Sequence, residues 1–174
     1  MLLNAYNTPD VKTFYAPGRI WAGEGLCEKL TAVLPEGRTL VVADARFASH
    51  PATSFWRASH VIAAAGEPRV ENAAQHIANL PQEGFAAVIA LGGGSTTDLA
   101  KAIHAYLAFG TFEVRDQVRP RGAPVLVSVP TTAGSGSETS RFFILSDSAG
   151  KRARRSWSAA PDLTVLDPRW FAGM

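Results

Sequence analysis

Ala90-Leu91-Gly92-Gly93-Gly94-Ser95-Thr96-Thr97-Asp98-Leu99-Ala100-Lys101 joins two different hydrophobic patterns. Before it, Phe85 to Leu91 is a continuous apolar run that reads as a buried strand. After it, Leu99, Ile103, Tyr106 and Leu107 recur at helical spacing. Three glycines at a strand-to-helix junction let a backbone come close to a ligand, because no Cβ intervenes. The first turn of the helix then presents unpaired N–H groups and a partial positive charge, which suits a phosphate. Ser95 and Asp98 have the spacing of a capping box, with Asp in place of Glu or Gln, and the helix is expected from Thr97 to about Phe109. A glycine turn without a ligand is the competing account. The order strand, turn, cap and helix favours the phosphate cradle.

Working outward, the same alternation repeats. Thr39 to Ala43 reads as a strand buried on both faces, with Asp44 at its carboxyl end. His60 to Ala63 and Val125 to Val129 read as further strands. Helices are expected on the Leu26, Leu30, Val33, Leu34 face, within residues 46–58, and from Pro68 through Ile77 and Ala78. Strands alternating with helices imply right-handed crossovers and a parallel sheet. Two hairpins are expected at the periphery. One joins residues 11–15 to 19–21 around Ala16-Pro17-Gly18; the other joins Phe142–Leu145 to Arg154–Trp157 across Ser146 to Gly150. Leu163 to Leu166 is a last short strand before Asp167-Pro168.

The 174 residues, 47% hydrophobic with a net charge of +2, suit a single α/β domain with a substantial core. That charge is too small to point to nucleic acid, and no apolar run is long enough to span a bilayer. Met1-Leu2-Leu3-Asn4 does not open a signal peptide, so a cytoplasmic location is expected. The one cysteine, Cys27, excludes an internal disulfide and reads as a buried thiol. His50, His60, His76 and His104 are not spaced as paired metal ligands, and no G-x-S-x-G or Walker A pattern is present.

In an open α/β sheet, ligands sit outside the carboxyl ends of the strands. Three informative stretches fall there: Asp44, Gly92 to Ser95, and Thr131 to Glu138. A carboxylate at Asp44 accepts hydrogen bonds from ribose hydroxyls and repels a 2′-phosphate, a preference that Arg46 weakens; an N-cap on the next helix is the alternative. Thr131, Thr132 and Ser137 offer hydroxyls to phosphate, ribose or amide, or else satisfy their own loop. Asp98 and Lys101, three apart, form a surface ion pair, or Lys101 points back toward the phosphates.

Taken together, Gly92 to Lys101 and Pro130-Thr131-Thr132-Ala133-Gly134-Ser135-Gly136-Ser137-Glu138 resemble the two motifs of the iron-type (group III) alcohol dehydrogenases. The glycine motif alone is similar to dehydroquinate synthase and glycerol-1-phosphate dehydrogenase as well; the second motif points to the alcohol dehydrogenase branch. The resemblance covers nearly the whole chain and implies one NAD(P)-binding domain over residues 1–174, with a Rossmann-like parallel sheet, flanking helices and peripheral hairpins. It implies that Asp44 meets the adenosine ribose and that Gly92, Gly93, Gly94 and Ser95 meet the pyrophosphate. Thr131, Thr132 and Ser137 would line the pocket, with Asp98 and Lys101 close by. NAD or NADP is the implied cofactor, NAD being slightly favoured.

The family's divalent metal is held by an Asp and several His of a second, helical domain that opens with a G-x-D-A-x-x-H-type motif. The sequence reaches Met174 without one. That helical metal domain is therefore expected to be absent, and the chain to bind a dinucleotide with little or no dehydrogenase activity of its own. An excised domain, a short gene and half of a split enzyme fit equally. Self-association or a separate carboxy-terminal domain is the expected partner, and a non-catalytic docking half is the alternative reading. Lys151, Arg152, Arg154 and Arg155 form a basic cluster in the last hairpin, and the segments Arg141-Phe142-Phe143 and Arg154-Arg155-Ser156-Trp157 resemble the phosphonoacetaldehyde reductase branch, which implies an anionic aldehyde; a solvated hairpin face is the competing account.

Overall fold

Runs of aliphatic residues closed by Asp, Gly or Pro become the central strands of this chain, whose computed structural model describes residues 18–171. In chain order the elements are β1 (Arg19–Ala22), α1 (Leu26–Lys29), β2 (Thr39–Asp44), α2 (Ala52–Phe55), β3 (Ala58–Ala64) and α3 (Val70–Ala78). Then come β4 (Ala87–Gly92), α4 (Gly94–Phe109), β5 (Val125–Pro130), β6 (Phe142–Asp147), β7 (Gly150–Arg155) and β8 (Leu163–Leu166). Six strands form one sheet in the order β1-β8-β5-β4-β2-β3, and every pairing in it is parallel.

Side chains alternate across this sheet, as the period of two requires. Val41, Ala43, Ile89, Leu91, Val127 and Val129 face α1 and α2, packing on Leu30 and Trp56. Leu40, Val42, Val88, Ala90 and Leu126 face the other way, onto Ala73 of α3 and Leu99, Ala100 and Ile103 of α4. The antiparallel hairpin β6–β7 forms a further layer beyond α4, where Phe143 and Leu145 pack on Ala102 and Ala105. α4 is thus covered on both sides, which explains why its run of buried residues is nearly unbroken from Leu99 to Ala105. Gly110, at φ 72°, ends it with an N–H donated to the Tyr106 carbonyl.

Several expectations need correction. The first arm of the early hairpin lies outside the described residues; its second arm, β1, is an edge strand of the sheet and pairs in parallel with β8, Arg19 opposite Leu163. The helix expected within 46–58 is the single turn α2, after Pro51. Pro68 does not open α3: Arg69 is extended, and the Pro68 carbonyl accepts from Ser146 N–H, tying this segment to the hairpin. α4 begins at Gly94 rather than Thr97, a shift that matters for the site.

Candidate functional site: a cradle at the carboxyl edge of the sheet

β2, β4 and β5 are neighbours, and their carboxyl ends are in register: Ala43 lies opposite Leu91, and Gly92 opposite Pro130. Adjacent strands are about 4.8 Å apart, so Asp44, the glycine turn and the Thr131–Glu138 loop share one edge. The Thr131 N–H donates to the Gly92 carbonyl at 3.1 Å, which fixes the second loop to the first.

Starting at Gly94 makes Gly93 the N-cap, in an extended conformation, with no side-chain cap. The first bond of the helix is donated by Thr97 N–H to Gly93 O at 3.0 Å. The amides of Gly94, Ser95 and Thr96 precede it and open onto the sheet edge, the arrangement in which helix ends bind anions. Ser95 is inside the first turn and so cannot cap it; the proposed Ser95–Asp98 capping box does not form. Close approach explains two of the glycines. A Cβ on Gly93 would stand 3.0 Å from Thr132 Oγ1, and one on Gly94 would stand 2.8 Å from Ser135 Cβ. The two motifs therefore touch through their smallest residues.

Asp98 is spent elsewhere. One of its oxygens accepts the Ser137 hydroxyl at 2.5 Å and the other the Ile144 N–H at 3.1 Å. Burial raises its pKa above the usual carboxylate value, and these two hydrogen bonds act against that rise. Ser137 thus aims its hydroxyl at Asp98. Lys101 makes neither of the contacts expected of it. Fully buried, its ammonium donates to the carbonyls of Ser140 and Phe142 at 2.7 and 2.8 Å. Burial lowers its pKa to about 8, with Asp98 and Glu138 pulling the other way. Asp98 and Lys101 therefore clamp the Ser137–Ile144 segment to α4 and position the second loop. Residue spacing alone does not mark Ser135, although Gly134 (φ 109°) and Gly136 (φ 65°) on either side show it to be a tightly turned position.

At the β2 end, Asp44 does not cap α2, whose N-cap is Pro51. Its Oδ1 accepts from the Arg46 backbone N–H and Nε at 3.0 and 2.9 Å, and its Oδ2 from Arg46 Nη2 at 3.2 Å. These bonds hold the Asp44 carboxyl below its ordinary pKa. Thr131 is buried, and its Oγ1 has no hydrogen-bond partner among the described residues. Beyond Thr132 a cleft of about 350 Å³ runs past Gly134 and Glu138 to Leu166 and Phe171.

The basic hairpin residues are neutralised. Lys151 faces Glu67, Arg152 faces Asp147, Arg154 faces Glu113, and Arg155 faces Asp116. Arg154 is buried and also donates to the Leu145 carbonyl, so it is part of the hairpin's framework. Cys27 is a buried thiol as expected, pushed up to about 12 by burial and by the nearby Asp167 charge. Among the described residues, no group of three or more His, Cys, Asp or Glu is placed to hold a metal ion.

A model of the family described as iron-containing alcohol dehydrogenase matches residues 17–168. The chain belongs to this family. It is similar to a probable alcohol dehydrogenase, EutG, of Escherichia coli K12, at 35% identity over 116 residues, which is 63% of this chain and 29% of that protein. Its fold matches the iron-containing alcohol dehydrogenase of Thermococcus thioreducens with a TM-score of 0.82 and 27% identity, over 93% of this chain and 48% of that one. A sulfoacetaldehyde reductase from Bifidobacterium kashiwanohense, solved in complex with NAD+, shares the fold at TM-score 0.80 and 19% identity, over 94% of this chain and 48% of that one. The chain therefore spans about half the length of these structures.

Proposed function

We propose that residues 18–171 bind a nicotinamide dinucleotide across the carboxyl edge of the sheet, as the cofactor half of an oxidoreductase interconverting alcohols and aldehydes. The observation that carries this reading is the uncapped first turn of α4, pressed against the Thr132–Ser135 loop at two glycines and flanked by Asp44. A diphosphate fits here because the first-turn amides of α4 have no side-chain cap and stand at the carboxyl edge of the sheet. The amides of Gly94 and Ser95 would take the pyrophosphate, with Gly92 leaving room for the Thr96 side chain and Gly93 for Thr132. Asp44 would take the adenosine ribose, and the unpartnered Thr131 hydroxyl, with Thr132, would meet the central part of the cofactor. Bound there, the dinucleotide supplies the hydride acceptor or donor. NAD is the form that Asp44 favours.

The family's divalent metal does not fit the described residues, which offer no set of donors for it. We therefore expect the 174-residue chain to bind dinucleotide while turning over alcohol weakly or not at all. The anionic-aldehyde reading is the second substrate reading, and each of its four cations also faces a carboxylate. The docking alternative is favoured by Phe142 and Ile144, which stand exposed two residues apart on the outer face of β6. The cytoplasmic placement rests on the lone buried thiol and the unremarkable charge; among the described residues no helix is long and apolar enough to cross a membrane. Titrating NADH and following its fluorescence tests the main reading: saturable binding supports it, and none at millimolar concentration refutes it. Light scattering after size exclusion tests docking, which a strict monomer would oppose.

A further inference from the structure

Asp44 and Arg46 form a unit whose consequences go past simple ribose binding. The turn that carries them is fixed by its backbone: Ala45 N–H donates to Ala64 O at 2.8 Å, and Phe47 N–H to Asp44 O at 2.7 Å. The Arg46 side chain, by contrast, is 67% exposed, and its guanidinium lies 5.5 Å from the Phe47 ring. It can leave the carboxylate without disturbing the fold.

Each carboxylate oxygen accepts about two hydrogen bonds. Oδ1 already takes the Arg46 N–H and Nε, and Oδ2 takes Nη2. One acceptor site is left, whereas a ribose 2′,3′-diol asks for two. A free ribose therefore binds fully only if the guanidinium yields one contact. A 2′-phosphate offers the same guanidinium a better partner, since a planar fork matches phosphate oxygens in pairs and is not repelled by them. When it moves across, Asp44 keeps the Arg46 backbone N–H, and the charge facing the phosphate falls.

Resting on the dinucleotide reading above, we propose that Arg46 is the residue that sets nucleotide preference. It gives way to an unphosphorylated ribose and exchanges the carboxylate for a 2′-phosphate, so the chain accepts both NAD(H) and NADP(H). An Arg beside the ribose-binding acid is a recognised way to admit the 2′-phosphate; here the two stand on one turn and lock each other in the free protein.

The test is a fluorescence titration of wild type, Arg46→Ala and Asp44→Ala with NADH and NADPH in low-salt buffer. Wild type is expected to bind the two within about tenfold of each other, the worth of a screened surface ion pair with partial hydrogen bonding. Arg46→Ala should weaken NADPH by about tenfold or more and leave NADH within about threefold. Asp44→Ala should weaken NADH and leave NADPH unchanged or tighter. Competition by adenosine 2′-phosphate against adenosine provides a second measure, which should lose its 2′-phosphate preference in Arg46→Ala. Equal weakening of both dinucleotides by Arg46→Ala, or unchanged NADPH binding, overturns the assignment. Wild type binding neither nucleotide instead removes the dinucleotide site itself.

Discussion

Gly94→Ala separates the site from the fold. Gly94 is the first residue of α4 and its backbone is helical, so alanine is compatible there and adds up to about 1 kcal/mol of helix propensity. The new Cβ would lie 2.8 Å from Ser135 Cβ and 3.2 Å from Ser135 Oγ, with no other atom within 4 Å. Ordinary carbon contacts need about 3.5–4.0 Å, so Ser135 must recede by roughly 1 Å. Moving it disturbs two long bonds, Ser135 Oγ to Glu138 at 3.2 Å and Ser137 N–H to Ser135 Oγ at 3.3 Å. Each is worth about 0.5–1.5 kcal/mol at most in this exposed setting. Gain and loss nearly cancel, and the melting temperature should stay within about 5 °C of wild type. Cofactor binding should not escape. Losing alignment of one amide with a phosphate costs about 1.5–3 kcal/mol, a rise of about 10- to 150-fold in the dissociation constant for NADH. Ser135→Gly removes both atoms that the new methyl meets, so the double variant should recover binding to within a few fold. Undiminished NADH affinity in Gly94→Ala would refute the cradle, and a double variant as weak as the single one would refute loop displacement as the cause.

Three more outcomes are expected. Lys101→Met should lower stability by about 2–4 kcal/mol in urea melts, because the Ser140 and Phe142 carbonyls lose their donor. Folded Lys101 titrates near 8 and the unfolded side chain near 10.5, so above pH 8 the unfolded chain holds the extra proton and stability rises with pH. Between pH 8 and 9 that contribution is about 1 kcal/mol, present in wild type and missing in Lys101→Met; above 9, Cys27 acts in the opposite sense. The native thiol of Cys27, near 12 against 9.0 when exposed, should react with iodoacetamide at pH 8 roughly a thousandfold more slowly than in urea. NADH at about 100 times its dissociation constant should stabilise the folded chain by about 2.7 kcal/mol, read as a rise of about 5–10 °C in a thermal scan.

The strands were legible because each is an aliphatic run closed by a residue that ends it: Asp44 for β2, Gly92 for β4, Pro130 for β5, Asp167 after β8. The hairpin β6–β7 was legible for a similar reason, as Ser146 to Gly150 interrupts two β-prone runs. What sequence spacing missed was long-range partnership. Asp98 stood at capping distance from Ser95, yet its partners are Ser137 and Ile144, which lie about forty residues downstream. Glycines carry no side chain to display a helical period, so the start of α4 was placed one turn late. Lys101 looked like a surface cation because its neighbour in sequence is acidic; in the fold, the hairpin covers it. The basic hairpin residues seemed free because their carboxylates, Glu67, Glu113, Asp116 and Asp147, are scattered along the chain. β1 paired with β8 across about 140 residues, a match that no local pattern encodes.

These misses share a physical origin that bears on function. Ser95, Thr96 and Asp98 lie inside α4, past its N-cap Gly93, and none of their side chains caps it. Thr96 is buried, Ser95 is exposed, and Asp98 faces the hairpin. A helix whose N-cap is a glycine, with no side chain to offer, retains the donors of its first turn. The carboxylate nearest this end is turned inward, Asp98 accepting from Ser137 and Ile144. A carboxylate at the first turn would stabilise the free helix by about 0.3–1 kcal/mol, and it would also repel an incoming diphosphate. Turning Asp98 onto the second loop removes that competitor and, by the same contact, holds Thr131 and Thr132 beside the glycines.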